Sequence, residues 1–154
     1  MKAKTISESE TILSEVMMPI HANHFGNVHG GTILRLVDEA AFVAATKHAR
    51  KNVVMASMDH IVFRHPVNIG DILTLKARLC YVGSSSMEVE VDIETERLKE
   101  GKILDVGSAY LTMVALDERG RAVKVPRLVL KSAKEKLKSK EALARRKRRL
   151  LKLI

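Results

Sequence analysis

The stretch Asn23-His-Phe-Gly-Asn-Val-His-Gly-Gly-Thr32-Ile-Leu-Arg-Leu-Val-Asp38-Glu-Ala-Ala-Phe-Val-Ala-Ala-Thr-Lys-His48 decides the fold. It opens as a polar loop punctuated by Gly26, Gly30 and Gly31, and from Thr32 to about His48 it contains neither Gly nor Pro. Ile33, Leu34, Leu36, Val37, Ala40, Ala41, Phe42, Val43, Ala44 and Ala45 leave that run almost no polar face. A segment apolar on nearly all sides, yet too short and too interrupted to span a bilayer, reads as a buried helix. Lys47, His48, Arg50 and Lys51 close it with positive charge, which the negative end of a helix dipole favours. One acid, Asp38, stands in its middle. A carboxylate in a buried helix costs several kcal/mol unless something pairs with it, so its presence asks for a reason.

Outward from the helix, the chain reads as strands. Thr11 to Met17 alternates within a first strand placed between Ile6 and Met18 and ended by Pro19. Val53 to Phe63 is a β-rich run followed by the breakers Pro66 and Asn68-Ile69-Gly70-Asp71. Ile72–Val82 and Met87–Arg97 form a hairpin across Gly83-Ser84-Ser85-Ser86. Period two puts Met87, Val89, Val91 and Ile93 on one face of its second arm and Glu88, Glu90, Asp92 and Glu94 on the other. The first arm presents Leu73, Leu75, Ala77, Leu79 and Tyr81 on one side, with Thr74, Lys76, Arg78 and Cys80 opposite, so that Lys76 and Arg78 meet the acidic row. Ile103–Leu116 is a further strand, and beyond Pro126 helix formers run to the C-terminus. One strand, one apolar helix and four more strands give an α+β fold: an antiparallel sheet of about five strands wrapped around one long helix, plus a basic C-terminal helix.

Composition narrows the class. Apolar residues at 46% with aromatics at 3% imply an aliphatic core, and the lone Cys80 excludes an intrachain disulfide. With no signal-like N-terminal run and no long apolar span, the expected location is cytoplasmic, without a membrane span. The net charge of +9 belongs to one end: eleven of the 27 Lys and Arg and two of the 18 acids fall within residues 131–154, which leaves residues 1–130 neutral. The chain thus divides into a domain at 1–130 and a basic tail at 131–154. The tail's Arg145-Arg146-Lys147-Arg148-Arg149 suits phosphates. No aromatic interleaving or zinc motif accompanies it, so nucleic acid is disfavoured and a solvated face is expected first. Leu137, Leu143, Leu150, Leu151, Leu153 and Ile154 give the tail a partly amphipathic character.

Asn23-x-x-Gly26-x-x-His29-Gly30-Gly31, followed by Asp38-Glu39-Ala40, resembles the hot-dog-fold acyl-CoA thioesterases (acyl-CoA hydrolases). The similarity continues through Ala56-Ser57-Met58-Asp59, Gly70-Asp71, the Gly83-Ser84-Ser85-Ser86 loop and Val125-Pro126. It implies hydrolysis of fatty acyl-CoA to fatty acid and CoA by subunits whose sheets join in a dimer, often a trimer of dimers. The site would then lie at the dimer interface, with an Asn from one chain and an acid from the other. Asn23 and Asp38 are the matching catalytic candidates, and His29, Gly30, Gly31, Ser57, Asp59, Gly83, Ser84 and Ser85 the substrate-binding ones. Coenzyme A enters only as part of substrate and product, so no separate cofactor is expected. Thioester hydrolysis needs a base or nucleophile, an orienting group and oxyanion donors, and a carboxylate, an amide and backbone N–H groups at a helix start can supply them.

Plainer roles exist for each residue. Asp38 could pair with Arg35 one turn back, Asn23 could stabilise a turn, and Gly30-Gly31 could only ease entry into the helix. His21, His24 and His29 match no metal-ligand spacing. His29 with Asp38 would suit a hot-dog dehydratase, but the Pro-rich loop of those enzymes is absent. Cys80 has no neighbouring His to activate it. A further use for the tail's Arg and Lys residues is attraction of the acyl-CoA phosphates. The alternative function is a non-catalytic hot-dog module that holds acyl-CoA or, through its tail, nucleic acid.

Overall fold

A computed structural model describes residues 1–152. A short strand β1 (Lys4–Thr5) and a 3-10 turn at Ile6–Glu8 precede β2 (Thr11–Val16). Then come α1 (Gly30–Ala49), β3 (Asn52–Met58), β4 (Ile72–Val82), β5 (Ser86–Arg97), β6 (Lys102–Leu116), β7 (Leu128–Val129) and α2 (Ala133–Lys152). The main sheet is antiparallel with strand order β2-β4-β5-β6-β3, while β1 and β7 pair in parallel as a separate ribbon. The first strand is therefore shorter than its alternation suggests, because Ile6–Glu8 form the 3-10 turn that leads in from the Lys4–Thr5 pairing with β7. The run from Val53 stops being a strand after Met58.

α1 packs against all five strands. Ala40, Ala41, Ala44 and Ala45 are fully buried, and their small side chains let the curled sheet close on the helix. Leu73, Leu75, Val89, Val91, Ile93, Leu111 and Met113 fill the inner face of the sheet. The helix ends at Arg50, which adopts the left-handed conformation (φ 53°) and donates its N–H to Thr46 O at 2.7 Å. Among the described residues no helix is long and apolar enough to cross a membrane.

The hairpin pairs as its pattern predicts, with Arg78 on Glu90 and Asp92, and Lys76 on Glu94 at 3.3 Å. One side chain departs from simple alternation. A bulge at Cys80 sets Leu79 opposite Val89 but Tyr81 opposite Glu88, so Tyr81 turns to the outer face instead of the core. Cys80 is itself buried, its thiol donating to Glu88 Oε1 at 3.1 Å.

The basic tail is not a solvated face. α2 lies on the outer side of the sheet and lays Lys138, Ala142, Arg145 and Arg149 along one of its own faces, at the spacing of successive helical turns. Lys138 pairs with Glu90 at 2.9 Å, Arg145 with Glu88 at 2.6 Å, and Arg149 with Asp59 at 2.9 Å and Glu88 at 3.3 Å. Arg145 also stacks over Tyr110 at 3.7 Å from the ring centroid. Glu88 and Glu90 are consequently 2% and 3% exposed, so the acidic row is covered and paired. Leu137, Leu150 and Leu151 stay exposed, and Leu143 is half-buried. Leu153 and Ile154 lie outside the described residues.

After β3 the chain keeps close company with β6 without forming a regular strand. Asp59 N donates to Tyr110 O, and Arg64 N to Val106 O. Gly107 permits this approach, since a Cβ there would stand 2.7 Å from the Val62 carbonyl oxygen. Gly107→Ala is expected to destabilise the protein by about 1–3 kcal/mol through this overpacking. A urea titration checks it, and wild-type stability would show that residues 59–65 yield freely.

Candidate active site

Asp38 is half-buried on the side of α1 that carries Phe42 one turn later. It opens into a cleft of about 280 Å³ lined by Glu39, Phe42, Val53, Val54, Met55 and Met113. Arg35 does not pair with it. That guanidinium turns to Glu39 at 2.6 Å and to Glu15 at 4.0 Å. Burial, reinforced by the neighbouring charge of Glu39, pushes the Asp38 carboxyl above the usual carboxylate range. A carboxylate held without a basic partner beside apolar walls is more basic than one in water. It can accept a proton or attack a carbonyl.

Asn23 does not line this cleft. Its Oδ1 accepts the N–H groups of Phe25 at 2.9 Å and Asn27 at 3.1 Å, so the side chain does shape the loop. These two amide donors also fix its orientation. The oxygen is committed to the loop, and Nδ2 is left as a donor with no partner among the described residues.

At the start of α1, His29 Nδ1 accepts the Gly31 N–H at 2.9 Å as an N-cap, which places the proton of the neutral ring on Nε2. A Cβ on Gly31 would stand 2.9 Å from that nitrogen, so glycine at 31 serves the cap. The Gly31 amide is thereby occupied, while the Gly30 N–H points from the helix start with no partner among the described residues. Phe63 flanks it, its Cε2 lying 3.6 Å from where a Gly30 Cβ would be. His21 Nδ1 accepts the Met18 N–H at 3.0 Å, again a turn contact.

Ser57 and Asp59 line a second hollow, a groove of about 590 Å³ on the outer face of the sheet. Gly83, Ser84 and Ser85 form the tip of the β4–β5 hairpin nearby. The carbonyls of Ser84 and Ser85 hold Val125 N at 2.9 Å and Ala115 N at 3.0 Å, and the next residue, Ser86, lines the groove. Arg146 and Arg149 of α2 complete one wall. Sequence reading did not connect these arginines with Ser57 and Asp59. The available signal was their turn-by-turn spacing with Arg145 and Lys138 around Ala142.

The thioesterase superfamily model matches residues 25–102, a span that includes the Asp38 helix and the whole hairpin. The chain belongs to the thioesterase superfamily. Among curated thioesterase relatives, the uncharacterized acyl-CoA thioester hydrolase YkhA of Bacillus subtilis is 34% identical over 83% of this chain and 74% of its own. Among solved thioesterases, an apo-hexameric acyl-CoA thioesterase superposes with a TM-score of 0.93 at 33% identity, covering 99% of this chain and 98% of the other. An acyl-CoA hydrolase from Staphylococcus aureus, solved with butyryl coenzyme A and coenzyme A, gives 0.88 at 37% identity over 97% and 92%. Variants of that hydrolase with an aspartate or an asparagine replaced by alanine have also been solved. This thioesterase therefore has the hot-dog fold of the acyl-CoA hydrolases, with Asp38 and Asn23 on separate elements of one chain.

Proposed function

We propose that the protein hydrolyses fatty acyl-CoA to free fatty acid and CoA in the cytoplasm, at sites completed by a second copy of the chain. The observation that carries this reading is Asp38: a carboxyl whose proton affinity is raised by burial, in an apolar cleft at the β3 edge of the sheet, with no basic partner among the described residues. Among the described residues β3 has β6 on one side and no strand on the other. Phe42, Val54 and Met55 are 45%, 47% and 42% exposed around the cleft, an apolar surface suited to pairing β3 with its copy. Such pairing would bring the partner subunit's loop toward Asp38, which Asn23 of the same chain does not reach. Dimers built this way would stack as a trimer of dimers, as the hexameric relative supports.

Asp38 takes the proton of a water as that water adds to the thioester carbonyl. The tetrahedral adduct then collapses to the acid as the C–S bond breaks and the departing CoA sulfur takes up that proton. In the other route Asp38 adds to the carbonyl and expels CoA thiolate, and water opens the resulting anhydride to release the acid and restore the carboxylate. Asp38 is required by both routes. Asn23 Nδ2 orients the carbonyl or the water, and the Gly30 N–H meets the developing oxyanion at the positive end of α1. His29 and Gly31 hold that helix start in shape. Ser57 and Asp59, with the hairpin tip at Gly83, Ser84 and Ser85, flank the path of the CoA arm.

Release of CoA thiol, followed with a thiol reagent across acyl chain lengths from acetyl to palmitoyl, tests the reading. Turnover of the longer acyl-CoA substrates is expected. Tight acyl-CoA binding with no thiol released at any length would make the protein a binding module instead.

A further inference from the structure

Only one face of α2 is spent on holding it to the sheet. Lys138, Arg145 and Arg149 pair with carboxylates there, and the fully buried Ala142 marks the middle of that face. Ala144, two residues further, stands about 200° round the helix and is exposed. Leu137 and Leu151 lie one heptad to either side of Ala144 and share its side of the helix, since a heptad drifts by only about 20°. They are 56% and 70% exposed. The line they form is about 21 Å long.

Cations run along both sides of this line. Lys136, Lys140 and Lys147 flank it on one side and Lys134, Arg148 and Lys152 on the other, all at exposed positions. None of the six has an acidic partner among the described residues, where the ion pairs of α2 belong to Lys138, Arg145 and Arg149. Glu141 is the one exposed acid of the helix, which leaves this face with a charge of +5. The fold gives no account of that charge. Lys136 with Lys140, and Arg148 with Lys152, set like charges one turn apart, which costs a helix stability.

The pattern selects among partners. A second copy of the same face is disfavoured, because a two-fold contact would set like charge against like. Nucleic acid would engage the cations, but its phosphates leave the exposed leucines idle. A bilayer with anionic headgroups uses both: leucines enter the boundary between headgroups and acyl chains, and the flanking Lys and Arg stems reach back to the phosphates.

We propose that the outward face of α2 docks the protein on anionic membrane surfaces, with Leu137 and Leu151 inserted shallowly and the two basic rows on lipid headgroups. The helix lies flat in the interface while its inner face stays on the sheet. Such docking is peripheral and reversible, because two leucines bury little apolar surface and salt screens the attraction. It would set the protein where long acyl chains partition, and it stands independently of the acyl-CoA reaction.

Sedimentation of the full chain with vesicles tests this. Binding is expected to phosphatidylcholine vesicles containing about one third phosphatidylserine but not to phosphatidylcholine alone, and it should fall steeply as salt rises. Lys140→Ala/Lys147→Ala/Arg148→Ala should weaken it about 100-fold and Leu137→Gln/Leu151→Gln about tenfold. Melting temperatures should stay close to wild type, since all five positions are exposed. Lys99→Ala/Lys102→Ala/Arg119→Ala removes the same charge from exposed positions elsewhere and should leave binding at the wild-type level. No binding to the anionic vesicles, equal binding to both kinds, an equal loss in the control, or wild-type binding by the leucine variant would overturn the proposal. A DNA duplex bound with the same cation dependence in place of vesicles would make the face a nucleic-acid surface instead. Loss of subunit association in native mass spectrometry of the variants would make it a contact between copies.

Discussion

Asp38→Ala is expected to lower kcat for acyl-CoA by a factor of roughly 100 to 10,000, the range associated with removing a positioned base. Its fold should survive, because among the described residues the carboxylate makes no ion pair that the change would break. Asp38→Asn separates chemistry from packing more sharply. It preserves the shape and loses the base, so activity falls while stability near neutral pH rises. The sign follows from the direction of the shift. A carboxyl whose folded pKa lies above its unfolded value holds its proton more tightly when folded, so stability is greatest below the unfolded pKa. That stability is lost as pH rises through the folded pKa. The amide has no such loss. In the wild type the same shift places the acid limb of kcat/KM above that of an ordinary carboxylate, since only the ionised form is active. Denaturant titrations and a pH–rate profile check both halves. An Asp38→Asn variant that kept its activity would remove Asp38 from the chemistry.

Much of this fold was legible because local pattern and tertiary demand agree. The run from Thr32 to His48 is apolar all round because five strands surround it, and the Leu73–Leu79 and Met87–Ile93 alternations survive unchanged in the hairpin. The reading failed where a single residue resets the period or where a distant element supplies the partner. Cys80 bulges and turns Tyr81 outward, which strict alternation has no means of showing. The tail looked solvated because its charges exceed anything nearby in sequence, yet their partners, Glu88 and Glu90, lie on a strand some fifty residues earlier. The acidic row on β5 was itself the missing clue. It has more carboxylates than Lys76 and Arg78 can neutralise. At the site, the residue types were legible and their commitments were not. Nothing in His29-Gly30-Gly31 as a string reveals that His29 occupies the Gly31 amide and leaves Gly30 available.

Asn23→Ala is expected to cost about 100- to 1000-fold in kcat, as loss of an orienting donor does. Asn23→Asp sorts its two duties: the oxygen that accepts from Phe25 and Asn27 remains, and only the Nδ2 donor is lost. Loss of activity in both variants therefore points to the donor rather than the loop. The shared-site claim adds a consequence that neither variant shows alone. Inactive Asn23→Ala and inactive Asp38→Ala chains each carry what the other lacks. When they are dissociated together and allowed to reassociate at random, half of the dimers are mixed, and each mixed dimer has one intact site of two. The mixture should recover about one quarter of wild-type activity. A mixture no more active than its parts, with native mass spectrometry confirming that mixed dimers formed, would contradict a site built from two chains.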